Sequence, residues 1–477
     1  MLFPWIVISG GIYAFIATMG IGANDVANAF ATSVGSGALT LKSAIITAAV
    51  FEASGAILMG SHVTNTIRKG IADYECFEDQ PGVLMYGCMW VVFSVGSWLF
   101  LATKYELPVS TTHSCVGGMI GMTIATAGTQ CVKWYEAKDT FPYVGGVSGI
   151  VLSWFISPIF SAAISSSLFG SIRCLVLRKE NSFSRTFYIF PGLVGFTLVI
   201  NAFFIIYKGG KGLGWAETPL TDAVMWAFIC GTGGAIIIIP FMKKTKSYVE
   251  KEIENRNIDD YERERDVSLS VTDIDKNEYS EIHDNAEVFD EKTEGMFKTL
   301  QVFTAICGSF AHGANDVANG IGPFVAIYTI GKTGEVNEKN EMGNDSLYIL
   351  IAGGLGISLG LALYGYKIIK ALGLKLCKIT PSRGTCIELG SAIVIITGSW
   401  LEIPLSTTHC QVGATCGVAA LENKNQSLST LEFRGINKKL FLKIVFGWVI
   451  TCIIVGTMSG LLSAQGVYAP CVRIYNN

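Results

Sequence analysis

Apolar segments long enough to cross a membrane recur along the whole chain, and they limit the fold more than any other feature. Half of the 477 residues are hydrophobic and the mean hydropathy is +0.45, a value that soluble proteins of this length rarely reach. About 20 apolar residues in a helix cross roughly 30 Å of hydrocarbon. The sequence therefore predicts an all-α polytopic membrane protein with about 12 transmembrane segments. The windows lie near 4–31, 41–61, 82–103, 107–128, 143–168, 187–207, 220–242, 297–331, 346–366, 386–402, 404–421 and 441–465.

One charged stretch divides these windows into two groups. Residues 243–294 hold nine Lys/Arg and seventeen Asp/Glu, a net charge of −8 in a chain whose total is −3. Such a composition is typical of disordered segments. We expect an N-terminal membrane region at 1–242, a largely disordered hydrophilic loop at 243–296 and a C-terminal membrane region at 297–477. The loop is expected to be a tether, with regulation through its Ser and Thr residues as the alternative.

Positive charges in short loops predict the orientation. Loops 169–186 and 367–385 and the start of the charged stretch are rich in Lys and Arg, as cytoplasmic loops are. Alternating spans then place both termini outside and the central loop in the cytoplasm. No Lys or Arg precedes the first apolar run, so we interpret it as a span and not as a signal peptide. We expect a multi-pass protein of the plasma membrane.

Two short phrases each occur twice. Residues 22–30 read GANDVANAF and 313–321 read GANDVANGI, while 106–113 read ELPVSTTH and 402–409 read EIPLSTTH. The copies are 291 and 296 positions apart, so each half of the chain carries one copy of both phrases in the same order. With the orientation above, the copies cross the membrane in opposite directions. The chain is therefore predicted to contain two inverted-topology repeats with broken or re-entrant helices, the architecture of many secondary transporters.

The first phrase places a carboxylate and amides in apolar sequence, where polar groups mark binding sites or ion paths. Asn24 and Asn28 are four positions apart and share a helix face, with Asp25 beside them. Carboxylate and carboxamide oxygens suit a hard cation such as Na⁺. The second copy supplies the equivalent Asn315, Asp316 and Asn319.

The second phrase places three hydroxyls after a proline, as though a helix began there. Hydroxyls and free N–H groups at a helix N-terminus favour an oxyanion. Helix capping or interhelical hydrogen bonding is the alternative for a single copy, and the duplication argues against it. His113 and His409 follow the triplets as pH-sensitive anion ligands or as structural hydrogen-bonding groups. The predicted oxyanion ligands are Ser110, Thr111, Thr112, Ser406, Thr407 and Thr408.

Two further carboxylates and two cysteines stand out. Glu52 and Glu388 are lone acids in apolar runs, which is costly unless each binds a cation or a proton or bonds to a neighbouring helix. Neither has a copy in the other repeat, so cation handling is expected to be asymmetric. Cys76 and Cys131 both fall in loops predicted to lie outside, where a disulfide could join them.

The duplicated phrases G-A-N-D-V-A-N-[AG] and P-[VL]-S-T-T-H resemble those of the inorganic phosphate transporter family called PiT, the sodium-dependent phosphate symporters. The resemblance covers essentially all membrane segments, and the charged stretch matches only as the long central loop of eukaryotic members. It implies that Asn24, Asp25, Asn315, Asp316 and both Ser-Thr-Thr triplets surround phosphate and sodium. It also implies functionally sensitive glutamates at Glu52 and Glu388 and a histidine at His312.

The expected function is sodium-coupled symport of inorganic phosphate by alternating access. No cofactor is expected beyond co-transported Na⁺, and no nucleic acid; the partners are phosphate, Na⁺ and the lipid bilayer, and a homodimer is possible. Proton coupling through the same carboxylates, or a phosphate-sensing receptor on the same scaffold, are alternatives. An intramembrane hydrolase using Ser110 or Ser406 with a histidine is disfavoured, because it leaves Asp25 and Asp316 unexplained. We therefore expect a transporter and not an enzyme.

Overall fold

The fold is described from a computed structural model. It covers residues 1–25, 27–139, 142–208, 218–255, 286–336, 345–422 and 435–468. Helices dominate this part of the chain, so the protein is an all-α polytopic membrane protein, as predicted. The strands within these residues form a short antiparallel hairpin, β1 (Glu136–Ala137) and β2 (Val144–Gly145), with Glu136 opposite Gly145.

The first half of the chain contributes nine helices within the described residues. They are α1 (Pro4–Asn24), α2 (Ala27–Gly35), α3 (Leu41–Met59), α4 (Ser61–Lys69), α5 (Pro81–Lys104), α6 (Thr111–Ala127), α7 (Gly146–Ile172), α8 (Ser182–Lys208) and α9 (Leu220–Asn255). Short 3₁₀ turns lie at Tyr74–Phe77 and Thr129–Cys131, and a π turn at Arg173–Leu177 extends α7. Local chemistry sets several starts: Thr40 accepts a hydrogen bond from the Ser43 N–H at the start of α3, and α5 begins with a proline, which suits the first helical turn.

The second half contributes six helices within the described residues. They are α10 (Glu291–Thr333), α11 (Ser346–Tyr364), α12 (Tyr366–Lys375), α13 (Pro381–Trp400), α14 (Thr407–Ala419) and α15 (Lys438–Tyr468). Asp290 caps α10 by accepting a hydrogen bond from the Thr293 N–H, and α13, like α5, begins with a proline.

All twelve predicted windows coincide with helices, but the helices are of two kinds. Among the described residues, eight helical stretches are long and apolar enough to cross a membrane, with α1 and α2 counted together. The windows at 107–128, 297–331, 386–402 and 404–421 correspond to α6, α10, α13 and α14, which are shorter or more polar. Three of these four helices carry the duplicated phrases. The windows missed α4 and α12, because each is short and bears charged residues.

The charged stretch is helical at both described ends. Helix α9 continues beyond the predicted boundary at 242 to Asn255, and α10 already begins at Glu291. The disorder predicted for this loop falls mostly on residues 256–285, which lie outside the described residues.

Two antiparallel helix pairs approach α10 from its opposite ends. We call α5–α6, joined by residues 105–110, the first pair, and α13–α14, joined by residues 401–406, the second pair. Near the start of α10, Glu294 accepts a hydrogen bond from Ser382 at the open end of the second pair. Near its end, Gly331 packs against Met85 in the first turns of α5. Because α10 contains 43 residues, or about 65 Å of helix, the connecting loops of the pairs meet near its middle.

Each pair also packs against a helix from the other half of the chain. A Cβ at Gly117 of α6 would lie 2.7 Å from the carbonyl oxygen of Cys452 in α15. A Cβ at Gly413 of α14 would lie 2.3 Å from the carbonyl oxygen of Pro158 in α7. Only glycine permits backbones to approach this closely, so the two halves are interlocked through α6 and α14.

The disulfide considered from the sequence is formed. Cys76 and Cys131 are bonded with their Cα atoms 6.0 Å apart. Cys76 lies just before α5 and Cys131 just after α6, and a β-bridge pairs Ala72 with Val132 beside them. The open end of the first pair is therefore closed covalently.

Candidate binding site

The connecting loops of the two helix pairs contact each other reciprocally. The Thr112 hydroxyl donates to the Leu405 carbonyl at 2.8 Å, and the Thr408 hydroxyl oxygen lies 3.3 Å from the Val109 carbonyl oxygen. These four residues are equivalent in pairs within the second duplicated phrase. Reciprocal contacts of this kind are what a pseudo-two-fold relation produces. The N-termini of α6 and α14 consequently lie side by side.

The serines of both triplets cap these helices. The Ser110 hydroxyl oxygen accepts the His113 N–H at 3.2 Å, and the Ser406 hydroxyl oxygen accepts the His409 N–H at 3.3 Å. Both serines have extended backbone angles, as N-cap residues do. Their main effect is to begin α6 and α14 so that the following threonines point into the centre.

Asn24 fixes the first connecting loop. Its amide nitrogen donates to the Thr103 hydroxyl at 3.0 Å and to the Leu107 carbonyl at 3.1 Å. Its amide oxygen accepts the Val109 N–H at 3.0 Å. Both ends of the amide are thus bonded to protein, so Asn24 holds the loop in place.

The second connecting loop repeats part of this arrangement. Asn315 donates to the Ser399 hydroxyl at 3.0 Å, but its Oδ1 has no hydrogen-bond partner among the described residues. Glu106 and Glu402 occupy equivalent loop positions, with φ angles of 53° and 58°. Residues other than glycine rarely adopt this left-handed conformation. Both loops therefore have the same unusual backbone shape.

Asp25 is the point at which the two pairs meet. It is 1% exposed and accepts hydrogen bonds from Thr111 of the first pair at 2.6 Å and from Thr408 of the second at 2.7 Å. The Thr407 hydroxyl lies 3.3 Å from the same carboxylate. One aspartate therefore joins the N-termini of α6 and α14.

Asp316 shares a hydroxyl with Asp25. The Thr407 oxygen lies 3.0 and 3.3 Å from the two carboxylate oxygens of Asp316, as well as 3.3 Å from Asp25. A hydroxyl has one proton to donate, so it cannot satisfy both carboxylates. On α10, His312 Nδ1 lies 3.8 Å from Asp316, too far for a hydrogen bond.

Asn319 lies one helical turn beyond Asp316. Its amide nitrogen donates to Thr111 at 3.1 Å and to Thr112 at 3.2 Å, while its Oδ1 has no hydrogen-bond partner among the described residues. Asn28, the equivalent residue in the first half, has a side chain that lies outside what the structure describes.

Glu52 brings a third carboxylate to this centre. It is buried in α3, where its carbonyl oxygen lies against Gly313 of α10. It interacts electrostatically with both Asp25 and Asp316. Within the described part of the chain, its Oε1 has no hydrogen-bond partner. Three buried acids thus lie together, although like charges in a low-dielectric interior repel one another strongly.

Glu388 lies in a separate polar cluster. Its Oε1 accepts from Thr32 at 2.5 Å, Ser33 at 2.7 Å and Gln301 at 3.3 Å. Its Oε2 accepts from Thr304 at 2.7 Å. The hydrogen bonds come from α2 and α10, and about three turns of α10 separate Thr304 from the central acids. Glu388 is accordingly a fully bonded carboxylate away from the centre.

The histidines of the second duplicated phrase, His113 and His409, pack against each other and against two tryptophans. His113 stacks on Trp154 with ring centroids 3.5 Å apart, His409 lies 3.7 Å from Trp448, and the two histidines lie 4.7 Å from each other. His113 Nδ1 is 2.7 Å from the Ser110 hydroxyl, and His409 Nδ1 donates to the Trp154 carbonyl at 2.8 Å. Both histidines make structural hydrogen bonds, and their role as anion ligands stays a prediction.

Sequence reasoning missed several partners of these groups. Thr103 and Ser399 hold the two phrase asparagines and are separated by the same 296 positions as the second phrase. Extending the comparison of the two halves by a few residues would have found them. The four residues that bond Glu388 have no such signal, because they come from segments far apart in sequence.

Two opposed helix pairs meet inside a polytopic helical protein, and buried acids, amides and hydroxyls lie at their meeting point. This arrangement is typical of secondary transporters. The chain belongs to the phosphate transporter family, whose family model matches residues 21–459. It is a phosphate transporter and not an enzyme, so the hydrolase alternative is set aside.

The chain is similar to individual relatives over nearly their whole length. The chain is 33% identical to a putative phosphate permease of Pyrococcus abyssi, covering 96% of this chain and 97% of the relative. It is 27% identical to a sodium-dependent phosphate transporter of Plasmodium falciparum, covering 98% of each. A solved structure titled as the sodium-dependent phosphate transporter matches with a TM-score of 0.77 and 30% identity, over 97% of this chain and 99% of that one.

Proposed function

We propose that the protein couples phosphate uptake to Na⁺ by alternating access. The observation that carries the sodium assignment is a set of buried oxygen atoms at the centre. Oε1 of Glu52 and Oδ1 of Asn319 have no hydrogen-bond donor among the described residues. In the same buried region, Asp25 and Asp316 share the Thr407 hydroxyl. Unpaired acceptors and carboxylates in one buried place call for a hard cation, which takes oxygen ligands.

Phosphate is proposed to bind between the N-termini of α6 and α14. The first N–H groups of a helix have no partner within it and carry a partial positive charge, which suits an oxyanion. The threonine hydroxyls can donate as well, since they turn about their own Cβ–O bonds. The proposed phosphate ligands are Thr111, Thr112, Thr407 and Thr408. Ser110, Ser406 and Asn24 support them as capping and loop residues.

Sodium is proposed to bind beside the phosphate, on Asp25, Asp316, Asn319 and Glu52, with Asn28 completing the set. Its positive charge offsets part of the negative charge of the three acids and of the anion. Glu388 and its hydroxyl donors are proposed as a separate cation site. The relatives named as sodium-dependent support Na⁺ as the coupling ion.

Transport is proposed to alternate between openings at the two ends of α10, because the helix pairs approach from those ends. We further propose a plasma-membrane location with both termini outside and the central loop in the cytoplasm. A membrane potential of 100 mV, negative inside, then contributes about 2.3 kcal/mol to the driving force for each net positive charge moved inward.

The coupling ion is tested with radiolabelled phosphate in proteoliposomes, comparing inward Na⁺, H⁺ and K⁺ gradients of equal size. We expect uptake with Na⁺ only. Thr407→Val should lower the uptake by about tenfold or more, since one buried hydrogen bond to a charged group contributes about 1.5–3 kcal/mol.

Thr407→Ser is the matched control for that variant, because it keeps the hydroxyl, and it should retain most of the uptake. Uptake driven by H⁺ alone would keep the substrate but assign the central acids to proton binding. Folded protein that takes up no phosphate under any gradient would contradict the symporter and favour the receptor.

A further inference from the structure

The open end of the second pair is held by a cluster of charged side chains. Arg383, at the start of α13, is 1% exposed. Its Nε donates to Glu422 at 2.5 Å, just beyond α14, and another nitrogen donates to the Glu287 carbonyl at 2.7 Å. The guanidinium also lies 5.1 Å from the ring centroid of Phe289. One buried arginine thus ties together both helices of the pair and the segment that precedes α10.

Glu287 holds that segment from the other side. Arg178 donates to both of its carboxylate oxygens, at 2.8 and 2.9 Å, and Arg173 lies 3.8 Å away. The Glu287 N–H donates to Glu422 at 3.0 Å. Residues 286–290, which directly precede α10, are therefore clamped between α7, α13 and α14.

Nothing in this cluster is covalent, in contrast to the first pair. Cys76 and Cys131 close the open end of the first pair with a disulfide. At the second pair, the arginines and glutamates close the corresponding end with hydrogen bonds and ion pairs, which can break and re-form. Separating them exposes several buried charges, which requires water to enter.

We propose that Arg383, Glu422 and Glu287, together with Arg178, form a releasable clamp on the second pair, and that transport requires this clamp to open in every cycle. This inference rests on the proposed function. The clamp acts through α13 and α14 on Thr407 and Thr408, so its members are positioning residues and do not touch phosphate or sodium. The open end of the first pair is held by a disulfide and that of the second pair by this clamp, so the two ends of the protein are held by unequal means.

The test locks the clamp chemically. Arg178→Cys and Glu287→Cys are combined in a chain whose exposed Cys174 and Cys230 are replaced by serine, and a short bifunctional thiol reagent bridges the new cysteines. We expect bridging to lower phosphate uptake at least tenfold while phosphate binding to the purified protein is retained. The unbridged double variant and each single variant treated with the reagent are the controls, and all should transport.

Bridged protein that transports as fast as the unbridged protein would overturn the clamp.

A second variant needs no chemical modification. Glu287→Gln weakens the contact with Arg178 and should raise the Vmax of phosphate uptake at least twofold with KM unchanged. Glu180→Gln, an exposed acid nearby, is its control and should change neither. Unchanged Vmax in Glu287→Gln would also contradict the clamp. Absence of uptake by the wild type would instead count against the proposed function, so the two failures are distinguishable.

Discussion

Asp25→Asn should lower sodium-driven phosphate uptake by about 100-fold or more while the protein still folds. Asp25 accepts hydrogen bonds from Thr111 and Thr408, one from each helix pair. An asparagine keeps the size but replaces one acceptor oxygen with a donor nitrogen and removes the charge that a cation would balance. Removing one partner from a buried charged site costs about 3–5 kcal/mol, which corresponds to two or more factors of ten.

The measurement is initial uptake in proteoliposomes at matched protein content, with size-exclusion chromatography as the check on folding. Asp222→Asn is the control, because Asp222 is exposed in the first turn of α9, and it should transport normally. An Asp25→Asn variant with normal sodium-dependent uptake would remove Asp25 from the proposed sodium site.

Gly413→Val should prevent the protein from folding. The first side-chain carbon would lie 2.3 Å from the carbonyl oxygen of Pro158 and 2.5 Å from its Cα, and neither atom can move without displacing α7. Overpacking a core usually costs about 1–3 kcal/mol, and a clash with fixed backbone should cost more. We expect no monodisperse peak in size-exclusion chromatography of detergent-solubilised protein.

Gly308→Ala is the matched control for that variant. Gly308 is also buried in a helix that carries the site, but a Cβ there meets no atom of another element within 4 Å. It should fold and elute like the wild type. If Gly413→Val eluted normally too, the close approach of α14 to α7 would not be needed for folding.

Much of the architecture was predictable because two features can be read directly from short stretches of sequence: apolar segments and repeated phrases. Apolar length identified the long helices, and the repeated phrases identified the central residues from α1, α6, α10 and α14. The amphipathic α4 and α12 escaped because they are too short to span a membrane and carry charges. The disulfide was considered but could not be assigned, since spacing in sequence does not determine distance in the fold.

The different contacts of individual residues in the site were less predictable. Asn24 and Asp25 are adjacent in sequence, yet Asn24 bonds a loop while Asp25 lies at the centre. Glu388 looked as isolated as Glu52, but it is bonded by residues of α2 and α10. These differences depend on contacts between distant segments, and a single sequence gives no direct signal of them.

The interlocked packing of α6 with α15 and of α14 with α7 bears on how such a chain could have arisen. Each half of the chain supplies one helix pair but relies on the other half for the surface that this pair packs against. A half-length ancestor with one copy of each phrase would therefore have had no complete site as a monomer. With the inverted orientation predicted from the sequence, such an ancestor would have needed a second copy lying in the opposite direction, and fusion of the two genes would have joined both copies in one chain.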